Sequence, residues 1–81
     1  MPRYFFDYRD GDDLAADSEG TELPDLTSAQ AEAVATLAEL ARDALPGFRE
    51  KRLAILVRDE SGRDRLELNL RFEVRASDPE G

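Results

Sequence analysis

The C-terminal third of the chain has the clearest hydrophobic pattern. From residue 66 to residue 74 every second side chain is apolar, and the side chains between them are polar or charged. Such alternation is typical of a β-strand with one buried and one solvated face. Residues 53–57 form another apolar run, in which Leu53, Ile55 and Val57 are the predicted inward set. Residues 59–62, which end in a glycine, predict a tight turn between these strands and therefore a β-hairpin.

The N-terminal segment predicts a second, less regular hairpin. Residues 3–9 are rich in aromatic side chains, which favours a strand. The period of two gives this strand two faces, with Tyr4, Phe6 and Tyr8 on one and Phe5 and Asp7 on the other. Residues 10–13 contain three aspartates and a glycine and predict a turn. A short strand is expected around residues 14–16, and the pattern leaves open a further strand around residues 21–23.

Between the two hairpins, residues 28–45 predict one amphipathic helix. They are good helix formers, and the helical period separates an apolar from a polar face. The apolar face comprises Ala33, Val34, Leu37, Leu40, Ala41, Ala44 and Leu45. Asp25 and Thr27 are both suitable N-caps, Thr27 with Gln30 fits a capping box, and the Pro46-Gly47 pair ends the helix.

These elements predict an α+β fold in the order β-β-α-β-β. The helix packs on the apolar face of one antiparallel sheet and leaves the other face wet. At 81 residues the chain is one domain, which we expect to span residues 1–75, with residues 76–81 as a frayed tail. A chain this short buries only about 60–65% of the surface that its unfolded form exposes, so pairing with a second copy would add burial that the monomer lacks.

The composition removes several classes of chemistry. The chain contains no Cys, His or Trp, so it lacks disulfides and the side chains that usually bind zinc or activate nucleophiles. Its five glycines are isolated, and no phosphate-binding glycine-rich loop is present. We therefore expect no catalytic residue, no cofactor and no metal site, and predict that the protein is not an enzyme.

The formal net charge of −8 restricts the partners. A field of this sign repels phosphate groups and anionic lipid head groups. We expect no membrane partner, and nucleic acid only together with a basic protein. The sequence begins without an apolar signal segment, which predicts a cytoplasmic location.

Two acidic features could in principle carry chemistry. Residues 10–13 offer oxygen ligands, but Leu14 and Ala15 stand where a calcium loop needs further ligands and a glycine, which favours a solvated turn. A catalytic carboxylate usually needs a pKa raised by burial. Asp7 lies between aromatic residues in a strand, yet it shares a face with Phe5, and we expect it near the solvent side and not catalytic.

Three segments carry a resemblance to a known family: MPRYFFDYRDG, DSEGTELPDL with the helix AQAEAVATLAELARDALPG, and LAILVRDESGRDRLELNLRFEV. Together they cover nearly the whole chain, which resembles a family of short bacterial proteins catalogued as a domain of unknown function. That resemblance implies no activity, cofactor or site residue. The chain is also similar in architecture to HicB-like antitoxins. The features that carry this likeness are the N-terminal hairpin, the Leu-Pro-Asp-Leu segment before the helix, and the helix rich in alanine and leucine. This second likeness implies a partial double-stranded-RNA-binding-type fold and a small toxin protein as partner, but no matching DNA-binding extension.

Five residues are candidate contacts for a partner. Arg65, Arg71 and Arg75 share the polar face of the last strand; acidic residues on the same face make cross-strand ion pairing the simpler interpretation. Phe5 and Phe48 do not fit the core pattern, so they either close an edge of the core or form a patch for a partner.

We therefore predict a small acidic bacterial protein that works as a non-catalytic protein-interaction module, whose partner is either another protein or a second copy of itself in a homodimer. Edge strands of the sheet would provide the contact, because adding a strand is a common way to bind a partner. The alternative is an antitoxin-like regulator whose acidic N-terminal third binds a small basic protein, or which binds nucleic acid in complex with one.

Overall fold

A computed structural model describes residues 1–77, which form one antiparallel sheet and one helix. The elements are β1 (Arg3–Asp10), β2 (Asp13–Ala15), β3 (Thr21–Glu22), α1 (Leu26–Ala44), β4 (Glu50–Asp59) and β5 (Asp64–Glu73). The α+β class and the single helix on one face of the sheet are as predicted. The order is β-β-β-α-β-β, because the segment around residues 21–23, which the pattern left open, does form a strand of two residues.

The long strands lie in the order β1-β4-β5, with β2 and β3 both paired to the outer side of β1. The predicted C-terminal hairpin is present, and it pairs Leu53 with Leu70 and Ile55 with Leu68. A β-bulge between Val57 and Arg58 shifts the register near the hairpin turn. The antiparallel pairing of β1 with β4 brings N-terminal and C-terminal halves of the chain side by side.

The helix begins two residues earlier than predicted. Asp25 is the N-cap: its backbone is extended and its carboxylate accepts the N–H of Ser28 at 2.8 Å. Thr27 therefore lies inside the first turn, and the predicted Thr27–Gln30 capping box was wrong. The helix ends at Ala44, close to the predicted Leu45, and Gly47 follows with a positive φ of 88°.

The core lies between α1 and β4. Helix residues that face it are mostly alanine, which lets the helix approach the sheet closely, and Leu53, Ile55 and Val57 are fully buried beneath it, as predicted. Val34 was placed on the apolar face but is 53% exposed. The reason is its position on the side of α1 that borders β5, where the sheet ends.

The apolar face of β5 is only partly covered. Leu66, Leu68 and Leu70 are half-buried and Val74 is exposed, because α1 packs chiefly over β4. Beyond β5, residues 74–77 have no regular structure, and the rest of the predicted tail, residues 78–81, lies outside the described residues.

Candidate interaction surface

The β1 edge of the sheet is closed. β2 pairs with residues 8–10, and β3 pairs with Arg3 and Tyr4. Between these two short strands, the carboxylate of Asp17 accepts the backbone N–H of Phe6 at 3.1 Å. Few backbone groups of β1 remain for another strand, and short covering strands of this kind are one way in which proteins protect an edge.

The β5 edge is open: among residues 1–77, no strand lies beyond it. In an antiparallel pair, residues that bond to the neighbouring strand alternate with residues whose N–H and C=O point away. The N–H of Val74 donates to the carbonyl of Arg49 at 2.7 Å, so the even-numbered residues from Leu66 to Phe72, on this side of the bulge, bond to β4. The backbone groups that point to the free edge belong to Glu67, Asn69, Arg71 and Glu73.

An apolar groove of about 620 Å³ runs between α1 and β5, beside the free edge. Its lining includes Val34 on the helix, Leu45 directly after the helix, and Leu68 and Leu70 on the strand. Any strand that paired with β5 would lie next to this groove. The open edge therefore combines unpaired backbone groups with accessible apolar surface.

The helix-free face of the sheet carries a buried ion pair. Asp7 is 9% exposed and accepts two hydrogen bonds from the Arg58 guanidinium, at 2.7 and 3.0 Å. It also accepts the backbone N–H of Asp17 at 2.9 Å, and Arg58 donates to the Asp17 carbonyl. The prediction that Asp7 lies near solvent was therefore wrong, because Arg58 on β4 and the segment after β2 cover it.

Hydrogen bonds lower the pKa of both the Asp7 and the Asp17 carboxylates. The Arg58 side chain lowers the pKa of Asp7 below its usual value, although burial partly opposes this effect. Burial also raises the pKa of Asp17, but the N–H groups of Gly20, Phe6 and Glu19 more than offset it, so that this pKa is lowered too. A general acid at neutral pH needs the opposite shift, which argues against acid catalysis by Asp7.

Phe5 covers the turn that links β2 to β3. Its ring lies 5.0 Å from the guanidinium carbon of Arg58, within cation–π range. A Cβ at Gly20 would approach the Phe5 ring and the Arg3 side chain to 2.9 Å, so the turn is packed against both. Phe5 therefore packs on this turn and not on the core, and its predicted role as a partner contact stays a prediction.

Three arginines line a groove near the other end of the helix-free face: Arg9, Arg52 and Arg71, with Ala54 at its floor. Among residues 1–77, no acidic side chain lies within 4.0 Å of the Arg9 or Arg52 guanidinium. Arg52 stands directly opposite Arg71 in the β4–β5 pair, a like-charge neighbour that disfavours the pairing. Guanidinium groups in such a groove suit carboxylate or phosphate oxygens.

The other predicted contacts do not form one patch. Arg71 pairs with Glu73 along β5, and Arg75, which lies beyond the end of β5, pairs with Glu73 too, whereas Arg65 pairs across the hairpin with a residue of β4. Arg65 pairs with Asp59 at 3.4 Å. Phe48 is 49% exposed on the link before β4, where Lys51 Nζ lies 3.8 Å from its ring centroid.

Sequence reasoning missed Arg58, Asp17 and Asn69 as residues that shape these surfaces. The sequence Asp-Ser-Glu-Gly at residues 17–20 did contain a signal, since aspartate commonly accepts N–H groups two and three residues further on. No local pattern indicates that Arg58 pairs with a residue 51 positions earlier. Asn69 becomes notable only once β5 is known to be the open edge.

Neither a metal cluster nor a membrane-spanning helix is found in the part of the chain that the structure describes. No three His, Cys, Asp or Glu side chains of residues 1–77 are grouped as metal ligands would be. The helix α1 is not long and apolar enough to cross a bilayer. The DGDD segment forms the β1–β2 turn, where Gly11 has a φ of 60°.

Comparison with known protein families gives a match over most of the chain. The model of the family described as "Domain of unknown function (DUF6894)" matches residues 3–71. No curated protein and no solved structure shows a significant match to this chain. None of the comparisons points to the HicB-like antitoxins, so that likeness stays a prediction.

Proposed function

We propose that this chain, which belongs to the DUF6894 family, is a non-catalytic protein-interaction module that binds its partner by strand addition at β5. One observation carries the proposal: the ten-residue β5 is an open edge, whereas the opposite edge is closed by β2, β3 and the Asp17 carboxylate. Strand addition uses main-chain hydrogen bonds for affinity and alternate side chains for specificity. Both are available along β5.

The composition and the electrostatics support a role through contact. The most buried carboxylate, Asp7, is held ionised by Arg58, and the chain has no His or Cys to act as base or nucleophile. The four free-edge residues Glu67, Asn69, Arg71 and Glu73 can exchange several backbone hydrogen bonds with a partner strand. Each such bond contributes about 0.5–1.5 kcal/mol net, and the adjoining groove would add apolar burial.

Blocking the edge tests the proposal. Asn69→Pro removes one outward N–H at the centre of β5 and leaves the bonds to β4 intact, because the N–H of Asn69 does not point to β4. Asn69→Ala keeps the N–H and is the matched control. Each tagged form, checked for folding by circular dichroism, is used for affinity capture at low salt from an extract of the cells that contain the chain.

The proposal predicts that the wild type and Asn69→Ala retain the same stoichiometric protein, which mass spectrometry identifies, and that Asn69→Pro loses it. The captured protein can be a second copy of the chain, which is recognised by expressing a second form of the chain that carries a different tag. Equal capture by Asn69→Pro and the wild type, with Arg71→Pro as a second edge-blocking variant, would contradict strand addition. A cytoplasmic location belongs to the proposal and is tested by fractionation of the same cells.

The second candidate is an antitoxin-like regulator that binds a small basic protein through its acidic N-terminal third. It is favoured by the exposure of Asp12, Asp13, Glu19 and Glu22, of which only Glu22 forms an ion pair among residues 1–77. Exposed charges are screened by salt, so this complex should weaken steeply between about 50 and 500 mM salt, a range over which the screening length shortens from roughly 14 to 4 Å. This candidate is contradicted if the affinity of the complex does not change with salt and is lost when the β5 edge is blocked.

A further inference from the structure

We infer that the strand which pairs with β5 is β5 of a second copy of this chain, antiparallel and centred on Asn69. The inference rests on the proposed function and names the partner of the same edge. It comes from the order of charges on β5, from mismatched neighbours within the chain, and from the apolar face of the strand.

The side chains of β5 on the helix-free face carry charges in an order that is complementary to the same strand running in the opposite direction. In chain order they are Arg65, Glu67, Asn69, Arg71 and Glu73. Residues at equal distances on either side of Asn69 carry opposite charges. An antiparallel pair centred on Asn69 therefore places Glu67 opposite Arg71 of the second copy, a pair that occurs twice. Arg65, which the β-bulge leaves as the extra residue between the Val57–Leu66 and Arg58–Asp64 pairs and which contacts Asp59, lies near Glu73 of the second copy at the ends of the paired segment. Opposite charges directly across two strands stabilise the pair.

Other registers lose this match. A shift of two residues in one direction places Arg65 opposite Arg71 of the second copy, and the same shift in the other direction places Glu67 opposite Glu73. A shift of four residues in the first direction brings Glu67 opposite its own counterpart. Shifts by an odd number would turn the apolar face of one copy against the polar face of the other. Among registers that overlap over most of β5, only the one centred on Asn69 pairs every opposing charge with its opposite.

Within one chain, the same residues have poor neighbours. Arg71 lies opposite Arg52 on β4, and Glu73 lies opposite Glu50. Glu67 lies opposite Leu56, and among residues 1–77 its polar contact is a hydrogen bond from the Asn69 amide at 3.0 Å. A second copy supplies an arginine beside Glu67 and a glutamate beside Arg71, which the chain's own β4 does not.

The apolar face matches as well. The same register places Leu68 opposite Leu70 of the second copy and Leu66 opposite Phe72, so the seam is apolar throughout on the helix side. A two-fold axis perpendicular to the sheet keeps both helices on this side. The half-buried leucines of β5 and the exposed Val34, which border the groove, would then be covered.

Charge exchange at residues 67 and 71 tests the inference. In a homodimer, Arg71→Glu places two carboxylates opposite each other at both of these cross-strand pairs, and Glu67→Arg places two guanidinium groups there. Each single variant should dimerise at least about tenfold more weakly than the wild type, because two attractive pairs become repulsive. In the mixed dimer of the two single variants both pairs are attractive again, because one chain carries glutamate at both positions and the other carries arginine at both. The double variant Glu67→Arg/Arg71→Glu also restores both pairs. Sedimentation equilibrium measures the dissociation constants.

Arg63→Glu is the matched control, since it makes the same charge change in the hairpin turn, outside the paired segment, and should leave dimerisation unchanged. A wild type that stays monomeric, or single variants that dimerise as well as the wild type, would overturn the inference. Loss of dimerisation in the double variant as well would also overturn it. The proposed function is tested separately. It is contradicted if Asn69→Pro retains every partner of the wild type. It is supported, without the dimer, if the wild type is monomeric and Asn69→Pro loses a partner protein other than this chain.

Discussion

At the scale of single residues, Asp7 joins two distant parts of the chain. Its carboxylate accepts hydrogen bonds from the Arg58 side chain on β4 and from the backbone N–H of Asp17 in the segment after β2. No buried side-chain polar atom within residues 1–77 lacks a hydrogen-bond partner. An ion pair of this kind contributes little net stability compared with apolar residues, but removal of one partner leaves a buried charge. Asp7 is therefore expected to be needed for the fold and not for chemistry.

We expect Asp7→Asn to lower the free energy of unfolding by about 2–4 kcal/mol, since Arg58 would keep its charge and lose its carboxylate. Urea denaturation followed by circular dichroism measures the change. Glu22→Gln is the control, because the side chains of Glu22 and its partner Arg3 are 57% and 40% exposed, the pair lies away from β5, and such pairs contribute about 0–1 kcal/mol. Equal effects of the two substitutions would contradict the structural role of Asp7.

The effect of Asp7→Asn on the free energy of unfolding should depend on pH. The pKa of Asp7 is lower in the folded chain than its ordinary value of 3.8, so the unfolded chain takes up the proton first as the pH falls. The stability difference between wild type and Asp7→Asn should be constant from about pH 7 to about 5 and should shrink below that. A difference that grows on acidification would mean that the Asp7 pKa is raised in the folded chain.

At the scale of elements, the turn of residues 16–20 closes the β1 edge. Asp17 accepts three backbone N–H groups, those of Phe6, Glu19 and Gly20, at 3.0–3.1 Å. Gly20 has a φ of 73° and lies against the side chains of Arg3 and Phe5. The turn is thus held both by hydrogen bonds and by close packing, and it occupies the place of a partner strand.

Gly20→Ala should destabilise the chain more than Gly47→Ala. Both glycines have a positive φ, which costs an alanine about 1–2 kcal/mol, but only at Gly20 would the new Cβ approach other atoms to 2.9 Å. Urea midpoints of the two variants give the comparison. An equal loss in both would show that the turn is not packed as described.

Elements with a strong local pattern could be predicted from the sequence, and long-range partners could not. The alternation of residues 66–74 predicted β5, and the helical period predicted α1 to within two residues. β3 has only two residues, too few for a pattern to indicate a strand. The roles of Arg58 and Asn69 depend on strand order, which a periodic pattern does not specify. Val34 was misplaced for the same reason, because its exposure follows from where the sheet ends.

At the scale of the whole molecule, the two edges of the sheet differ in whether another strand can pair with them. One edge is closed by residues of the chain itself, and the other presents ten residues of open strand beside half-buried leucines. Small domains bury a limited fraction of their surface, so a strand pair across this edge would add both hydrogen bonds and apolar burial. A protein of 9.1 kDa should then behave in solution as a dimer of twice that mass.

Amide hydrogen exchange along β5, followed by NMR at several protein concentrations, is the sharpest test of strand pairing at this edge. The amides of Leu66, Leu68, Leu70 and Phe72 bond to β4 and should be protected at every concentration. We predict that the amides of Glu67, Asn69 and Arg71 exchange fast in dilute protein and become protected as the concentration rises. Fast exchange of these three amides at all concentrations, with no partner protein that protects them, would rule out pairing through β5.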